Sequence, residues 1–563
     1  MGRQPLFVYD AKTDVNNTSG VRIEMTMTSE CGCKILLMLV LALPAVPVAG
    51  LQDQSGGELG KTSQLPENFS EPMPLYPLLI GNYDHPISSE NTEAQAYFNQ
   101  GFQLMYAFAK EDAARSFRES WRRDTSCAIC YWGEAWAWGS YLNGPMGLSE
   151  APHAYAAAVA AMDRIDLASA RERAYIEAIA TRYVEEFEPE NRRAQDEAYA
   201  AAMRLVAETY PEDLDAATLY ADALFLLEPR QGTRDLNDPN VRRLHAVLEG
   251  ILARDIKHPG ACHLYIHATE STVDPSKASI CAEYLGDAIP GASHINHMPS
   301  HTWNEIGRWG DGVRSNIRAW HSDLKAAVGE GFAIYPSHNL HMLLFAASMD
   351  GQGAIAVQAG KDYAKLTDDS VYHVLTLIRF GRFDEVLTVT TRPTKEASGG
   401  LWDFAQGYAH LRTGNADFAK VYLDRVMSLA DTTTERFRFD AAKLVLQTVG
   451  LILKGEIKRD TGDLEGAIQS FELAVNVEDD LEYSEPEPLP FPARHWLGAV
   501  LIEAELYSVA EHVYRTELDD HPNNGWSLLG LRLALEGQGK SPSNVDFDES
   551  WSRADTWITS SRF

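Results

Sequence analysis

Positive charge is what this chain has least of. Forty-nine lysines and arginines stand against 80 aspartates and glutamates, giving a formal net charge of −31 and a pI near 4.9. Such a surface repels polyanions, so no nucleic acid is expected as a partner. The acidic residues are spread along the sequence rather than gathered into a tail, which reads as a solvated surface. A membrane-spanning run is missing too. Residues 35–48 are apolar but are interrupted by Pro44 and Pro47, and they are too few to cross a bilayer. Lys34 before the run, and the small residues Val48, Ala49 and Gly50 at its end, fit a cleaved signal peptide. The mature chain is therefore expected to be exported, periplasmic or secreted, with no stable membrane anchor. No cysteine stands directly after the run, which argues against a lipoprotein. Met25 and Met27 read as better starts than Met1, so the first 24 residues are left out of the fold.

Cysteine is scarce. Of six, Cys31 and Cys33 would leave with the signal peptide, and Cys127, Cys130, Cys262 and Cys281 would remain. An even number in an exported protein points to disulfides. Cys262 with Cys281 would tie two helices of one hairpin. Cys127 with Cys130 would close on itself or act as a redox pair, although the thioredoxin-like context for the latter is absent.

Runs of β-branched residues are few, which excludes a β architecture. From about Thr92 alanine is abundant and apolar residues recur at spacings of three and four, the helical period. Six stretches carry a small residue at a helix turn followed by an aromatic and a small-residue helix. They begin near Tyr106, Gly307, Gly381, Gly414, Gly462 and Leu506. In tetratricopeptide (TPR) hairpins small residues let paired helices approach and aromatics fill the gaps between hairpins. The expected fold is all-α, a TPR-like solenoid of antiparallel helix hairpins. Its expected organisation is an extension plus signal peptide over residues 1–50, a flexible mature N-terminus over 51–90 and helical repeats over 91–250. Central repeats over 251–370, C-terminal repeats over 371–545 and a tail over 546–563 follow.

Five histidines fall in two short segments, 260–270 and 294–301. His263 and His297 are 34 residues apart, as are His267 and His301, and 34 is the TPR period. Residues one repeat apart occupy equivalent places on neighbouring helices, so each pair is expected to face across one helix spacing. His263, His267 and Glu270 are spaced by four and three, hence on one helix face. Pro299 is expected to start the next helix, leaving His294 and His297 in its entry loop and His301 in its first turn. His338 and His341 add a pair on a third helix. All lie on the helices that line the concave face of a TPR array, its usual binding surface. Tyr265 and Trp303 sit in the same segments and are expected to shape a pocket there. A tryptophan-rich stretch from Cys127 to Met146 reads as hairpin core, and His258 and His373 as structural.

The candidate metal ligands are His263, His267, His294, His297, His301, His338 and His341. Seven imidazoles with few carboxylates suit copper or zinc better than magnesium or calcium. Two groups of three histidines would suit a pair of coppers. Three histidines with an open position, and Glu270 as general base, would suit zinc hydrolysis. The paired Glu-x-x-His sequences of di-iron bundles are absent. Glu270 is the candidate catalytic residue, with orientation of an imidazole or direct ligation as its other roles. The reading placed first is a metal-dependent oxidoreductase, copper favoured over zinc or iron. A zinc-dependent hydrolase, a non-catalytic metal-binding protein and a TPR scaffold stand beside it. The partner is accordingly a small-molecule substrate or a peptide in the concave groove.

These motifs resemble those of exported bacterial TPR-repeat proteins, whose function is uncharacterised. The shared sequences are His-x3-His-x2-Glu (His263 to Glu270), Pro-Gly-Ala-x-His-x2-His-Met-Pro-Ser-His (Pro290 to His301) and His-Asn-x-His (His338 to His341). The likeness extends to residues 97–101, 127–145, 492–498 and 522–526, most of the mature chain. It implies the TPR fold and the histidine set, and no reaction. One departure bears on the site. Where such proteins carry Phe-Asn-His, this chain has Phe108, Ala109 and Lys110.

Overall fold

Almost every regular element is an α-helix, the only strands among the described residues being a two-residue pair, Arg436–Phe437 against Asp440–Ala441. The computed structural model describes residues 65–229 and 232–563, all within one unit spanning Lys61–Phe563. The expected signal peptide, Cys31 and Cys33 lie outside the described residues, as does the first part of the segment expected to be flexible.

Helix starts follow from local chemistry. Asn91 caps Thr92–Tyr106 by accepting from the Glu93 and Ala94 N–H groups. Ser169 and Glu172 form a reciprocal capping box on Ala170–Ala180. Helices then follow one another as packed neighbours: Lys110–Arg123 on Thr92–Tyr106, Ala416–Thr432 on Glu396–Arg412, and Leu464–Glu478 on Ala442–Asp460. The turn glycines Gly307, Gly381, Gly414 and Gly462 all have positive φ, between 66° and 85°, a conformation that costs glycine little. At Gly307 a side chain is excluded twice over, since a Cβ would sit 2.1 Å from the Pro522 carbonyl oxygen. The chain is an all-α, TPR-like solenoid.

Two apolar cores run through it. One joins residues from Phe69 to Ile334, including Phe102, Trp132 and Trp136; the other runs from Trp309 to Ile558 and includes Phe471 and Trp526. The tryptophan-rich stretch is core, with Trp132, Trp136 and Trp138 all buried. Both cysteine pairs are joined, Cys127 to Cys130 and Cys262 to Cys281. The second bond ties Pro259–Thr269 to Ser279–Leu285. No helix among the described residues is long and apolar enough to cross a membrane.

Residues 65–90 differ from the flexible segment their composition suggests. Phe69, Met73 and Ile80 are buried and anchor this segment to the helices. Glutamines on Thr92–Tyr106 satisfy its backbone: Gln100 accepts from the Tyr76 N–H (2.8 Å), Gln95 from the Ile87 N–H (2.9 Å), and Gln103 donates to the Tyr83 carbonyl (3.0 Å). Gly291 N–H donates to the Leu79 carbonyl at 2.7 Å, fastening this segment beside the histidine-bearing helices.

Candidate metal centre

The site is built on three helical segments. His258 accepts from the Ala261 N–H and caps Pro259–Thr269, and Pro259 takes its first turn. His263 and His267 lie one turn apart on that helix. Ser293–His297 and Pro299–Glu305 form the second segment, broken only at Met298, which keeps helical angles. His294 and His297 therefore sit in a short helix rather than the expected entry loop. Proline lacks only an N–H that a first turn leaves unused, so the helical path continues through it. His338 lies in the first turn of Pro336–Met349.

Six imidazoles meet as two triads, His263 with His267 and His294, and His297 with His301 and His338. Within the first, Nε2 of His263 is 3.1 Å from Nε2 of His294. Within the second, Nε2 of His297 is 2.7 Å from that of His301 and 3.1 Å from that of His338. The triads lie side by side, with ring centroids 5.3 Å apart for His267 and His301 and 5.6 Å for His294 and His297. The repeat register brings His267 onto His301 as its spacing predicts. His263 meets His294 instead of His297, because His297 turns towards the third helix.

Four of the six rings are held from behind, on Nδ1. Nδ1 of His263 donates to the Tyr106 carbonyl (2.6 Å), and that of His297 to Asn316 Oδ1 (2.8 Å). Nδ1 of His267 donates to Glu270 Oε1 (2.9 Å). Nδ1 of His301 lies 2.7 Å from Glu270 Oε2 and 2.6 Å from Glu485 Oε2. A proton fixed on Nδ1 leaves the Nε2 lone pair facing inward, the arrangement a metal-binding imidazole needs. Nε2 of His267 has no hydrogen-bond partner although the residue is buried. Nitrogens about 2.0–2.1 Å from one ion at near-right angles lie about 3 Å apart, close to the 2.7–3.1 Å of the three pairs given above. Glu270 sits behind the rings that it joins, on the Nδ1 side, so its position is that of an orienting group. His267, Glu270, His301 and Glu485 also form a group able to hold an ion on that rear side.

Burial governs the electrostatics. His263, His294, His297 and His338 are held well below the usual histidine range, first by burial and then by one another's charge. His267 is lowered by burial against the opposing pull of Glu270. His301 goes the other way, to about 10, because Glu270 and Glu485 together outweigh its burial. At neutral pH five of the six rings are thus neutral and able to ligate.

An aromatic wall closes the first triad. The Phe108 ring lies 4.2 Å from His263 and 5.5 Å from His294, and Tyr335 meets His294 edge-on at 5.1 Å. The Tyr141 and Tyr335 hydroxyls are hydrogen-bonded. Lys110 sends its Nζ to Glu150 at 3.1 Å and covers the Tyr141 ring. Behind the wall Tyr106 donates to the buried Asp215, which also accepts from Tyr83 (2.7 Å) and contacts His85 Nδ1 (2.6 Å) and His258 Nε2 (3.2 Å). His258 thus serves both the helix cap and this network.

Other candidates lie elsewhere. His341, on the same helix as His338, stacks on Tyr372 at 4.1 Å and belongs to neither triad. An offset of three leaves the two residues only about 60° apart around the helix, so it is the packing against Tyr372 that separates His341 from the triads. Tyr265 donates to Glu249 (2.8 Å) and Trp303 lies under Arg308 (3.9 Å), so both are engaged in packing rather than in shaping the site. The histidines do not line an open groove: His263, His267, His294, His297 and His301 are at most 3% exposed. Phe108 from one side and the loop bearing Glu485 from the other cover them. Glu485, Asn316, Phe108 and Tyr335 have no repeat-matched spacing to the histidines, and only the tertiary packing brings them in.

No family model matches the chain, and no curated protein matches its sequence. Solved helical structures align with it at low identity. The Cut9–Hcn1 hetero-tetramer of the APC/C covers 82% of this chain and 76% of that one at 14% identity, with a TM-score of 0.28. Yeast Tom70 covers 83% and 93% at 13% identity and a TM-score of 0.26. The human IFIT1 dimer with m7Gppp-AAAA covers 83% and 91% at 11% identity and a TM-score of 0.28. By its own helices and side chains, this chain is a TPR-like solenoid whose packed interior holds histidine groups able to bind metal.

Proposed function

We propose that the two histidine triads hold a pair of copper ions and that the chain is an exported, copper-dependent oxidoreductase of the TPR type. One observation carries the reading. Nε2 atoms converge in two adjacent sets of three while the Nδ1 atoms of four rings are anchored outward. All-imidazole sets suit copper and zinc, and two adjacent sets suit a coupled pair. When bound, copper would supply the electron-transfer chemistry. The chain's own residues fix the ring orientations through Glu270, Glu485, Asn316 and the Tyr106 carbonyl, and exclude water with Phe108 and Tyr335. Zinc hydrolysis with Glu270 as base is disfavoured by the place of that carboxylate behind the rings. A peptide-binding role for the histidines is disfavoured by their burial. Export is supported by the leader-like residues 35–48 and by the two disulfides. Kinship with the exported histidine-motif TPR proteins is part of the same proposal.

The test is elemental analysis of chain expressed for export and purified without a polyhistidine tag or chelator. About two equivalents of copper are expected, with His267→Ala and His301→Ala each lowering the content while helicity stays near the parent's. Zinc or iron in place of copper overturns the copper assignment. No metal after reconstitution, or variants that unfold yet bind as much metal as the parent, overturns the centre itself.

A further inference from the structure

Beside the second triad lies a cavity of about 900 Å³, within the range of roughly 300–1,000 Å³ typical of small-molecule sites. His301 and Glu485 form part of its wall, so the cavity reaches the edge of the histidine centre. Ten acidic residues line it, against one arginine and two histidines. The basic groups are already engaged. Arg494 pairs with Asp479 at 2.7 Å, and His521 lies between Glu517 (2.6 Å) and Glu487 (2.9 Å). Acidic clusters on surfaces are ordinary, but part of this one is interior. Glu517 is 1% exposed, and its Oε2 has no hydrogen-bond partner. Buried carboxylate oxygens without partners are costly. Trp309, Met342 and Phe345 add a buried apolar side to the same cavity. Burial foremost, with added repulsion from Glu270 and Glu487, pushes Glu305 up to about 8. Glu478 and Glu517 are likewise raised, first by burial and then by neighbouring carboxylates. A bound cation would relieve both effects.

We infer that this cavity binds an organic ammonium ion with an apolar body, and that it is the substrate entrance to the histidine centre. The carboxylates would take the ammonium through charge-assisted hydrogen bonds, and Trp309 and Phe345 would pack against the hydrocarbon. An inorganic cation would leave that apolar side unused. The entrance rests on the metal-centre reading above; the binding of the ammonium ion does not.

The experiment uses the full chain, metal-free and copper-loaded, titrated with 1,6-diaminohexane and with the isosteric 1,6-hexanediol. Calorimetry reports binding. The diamine is expected to bind the metal-free protein at least tenfold more tightly than the diol. Glu517→Gln is expected to weaken the diamine about tenfold, the loss of one hydrogen bond to a charged group. Glu487→Gln, at a side chain 45% exposed and so tolerant of change, is expected to weaken it in the same direction. Equal affinity for diamine and diol, unchanged affinity in a folded Glu487→Gln chain, or competition by magnesium ions as strong as by the diamine each overturns the ammonium site. In the loaded protein the diamine is expected to shift the copper absorption bands. Diamine binding without that shift overturns the entrance and leaves the cavity standing. Diamine binding by a chain that takes up no copper defeats the metal reading alone.

Discussion

At the scale of single residues the site is decided by what stands behind each imidazole. Glu270 contacts Nδ1 of both His267 and His301, so one carboxylate orients a ring in each triad. Glu270→Gln keeps the shape but loses the charge, and orienting partners of this kind are worth about 10- to 100-fold in metal affinity. Competition against a chelator of known affinity should show that loss, whereas an unchanged affinity would leave Glu270 without an orienting role. Titration of the metal-free chain gives a second prediction. His263, His294, His297, His338 and His341 are all depressed, burial being the largest cause. The unfolded chain, with histidines near 6.5, takes up protons that the folded chain refuses. Stability is therefore lost as pH falls through and below about 6.5. His301, raised to about 10, acts oppositely: its contribution is full below about 6.5 and disappears as pH rises towards 10. Five groups outweigh one, so the melting temperature of metal-free protein should drop between pH 7 and 5. A flat or rising melting temperature there would count against neutral buried rings.

At the scale of elements, the His263 helix is held by its cap and by a covalent tie. The Cys262–Cys281 bond closes a loop of sequence separation 19, and loops of about that length contribute about 3 kcal/mol in the chain-entropy model. Replacing both cysteines with serine should lower unfolding free energy by about that amount in denaturant titration. An unchanged midpoint would show the hairpin held by packing alone. Element identities could be read from sequence because helical period and turn glycines are local signals. Gly307, Gly381, Gly414 and Gly462 fall at turns with positive φ, as their place in the repeat signatures suggests. What the local pattern misjudged was Pro299, read as leaving His294 and His297 in a loop, and residues 65–90, whose composition hides three anchoring apolar side chains and a set of glutamine contacts.

At the scale of the whole molecule, two apolar cores share the stability, and the triads border the first. In repeat arrays energy is carried by neighbouring interfaces. Phe471→Ala, in the second core and fully buried, should cost about 3–5 kcal/mol while metal content per folded chain stays at the parent's value. Loss of metal in proportion to stability, measured on the folded fraction, would mean that the two cores act as one.

The 34-residue register and the helical period were enough to establish the all-α solenoid and to place the histidines on adjoining helices, since both are repetitive and local. The pairing of His267 with His301 follows from that register alone. The partition into two triads depends instead on ring directions, on the packing that holds His341 against Tyr372, and on the helix that continues through Met298. Glu485, Phe108, Asn316 and Tyr335 enter through contacts between segments far apart in sequence. The same long-range packing buried a set of histidines that sequence placed on an open face, and lowered most of their proton affinities as it did so. Spacing along a helix fixes which side chains share a face. Only packing between helices fixes what that face meets.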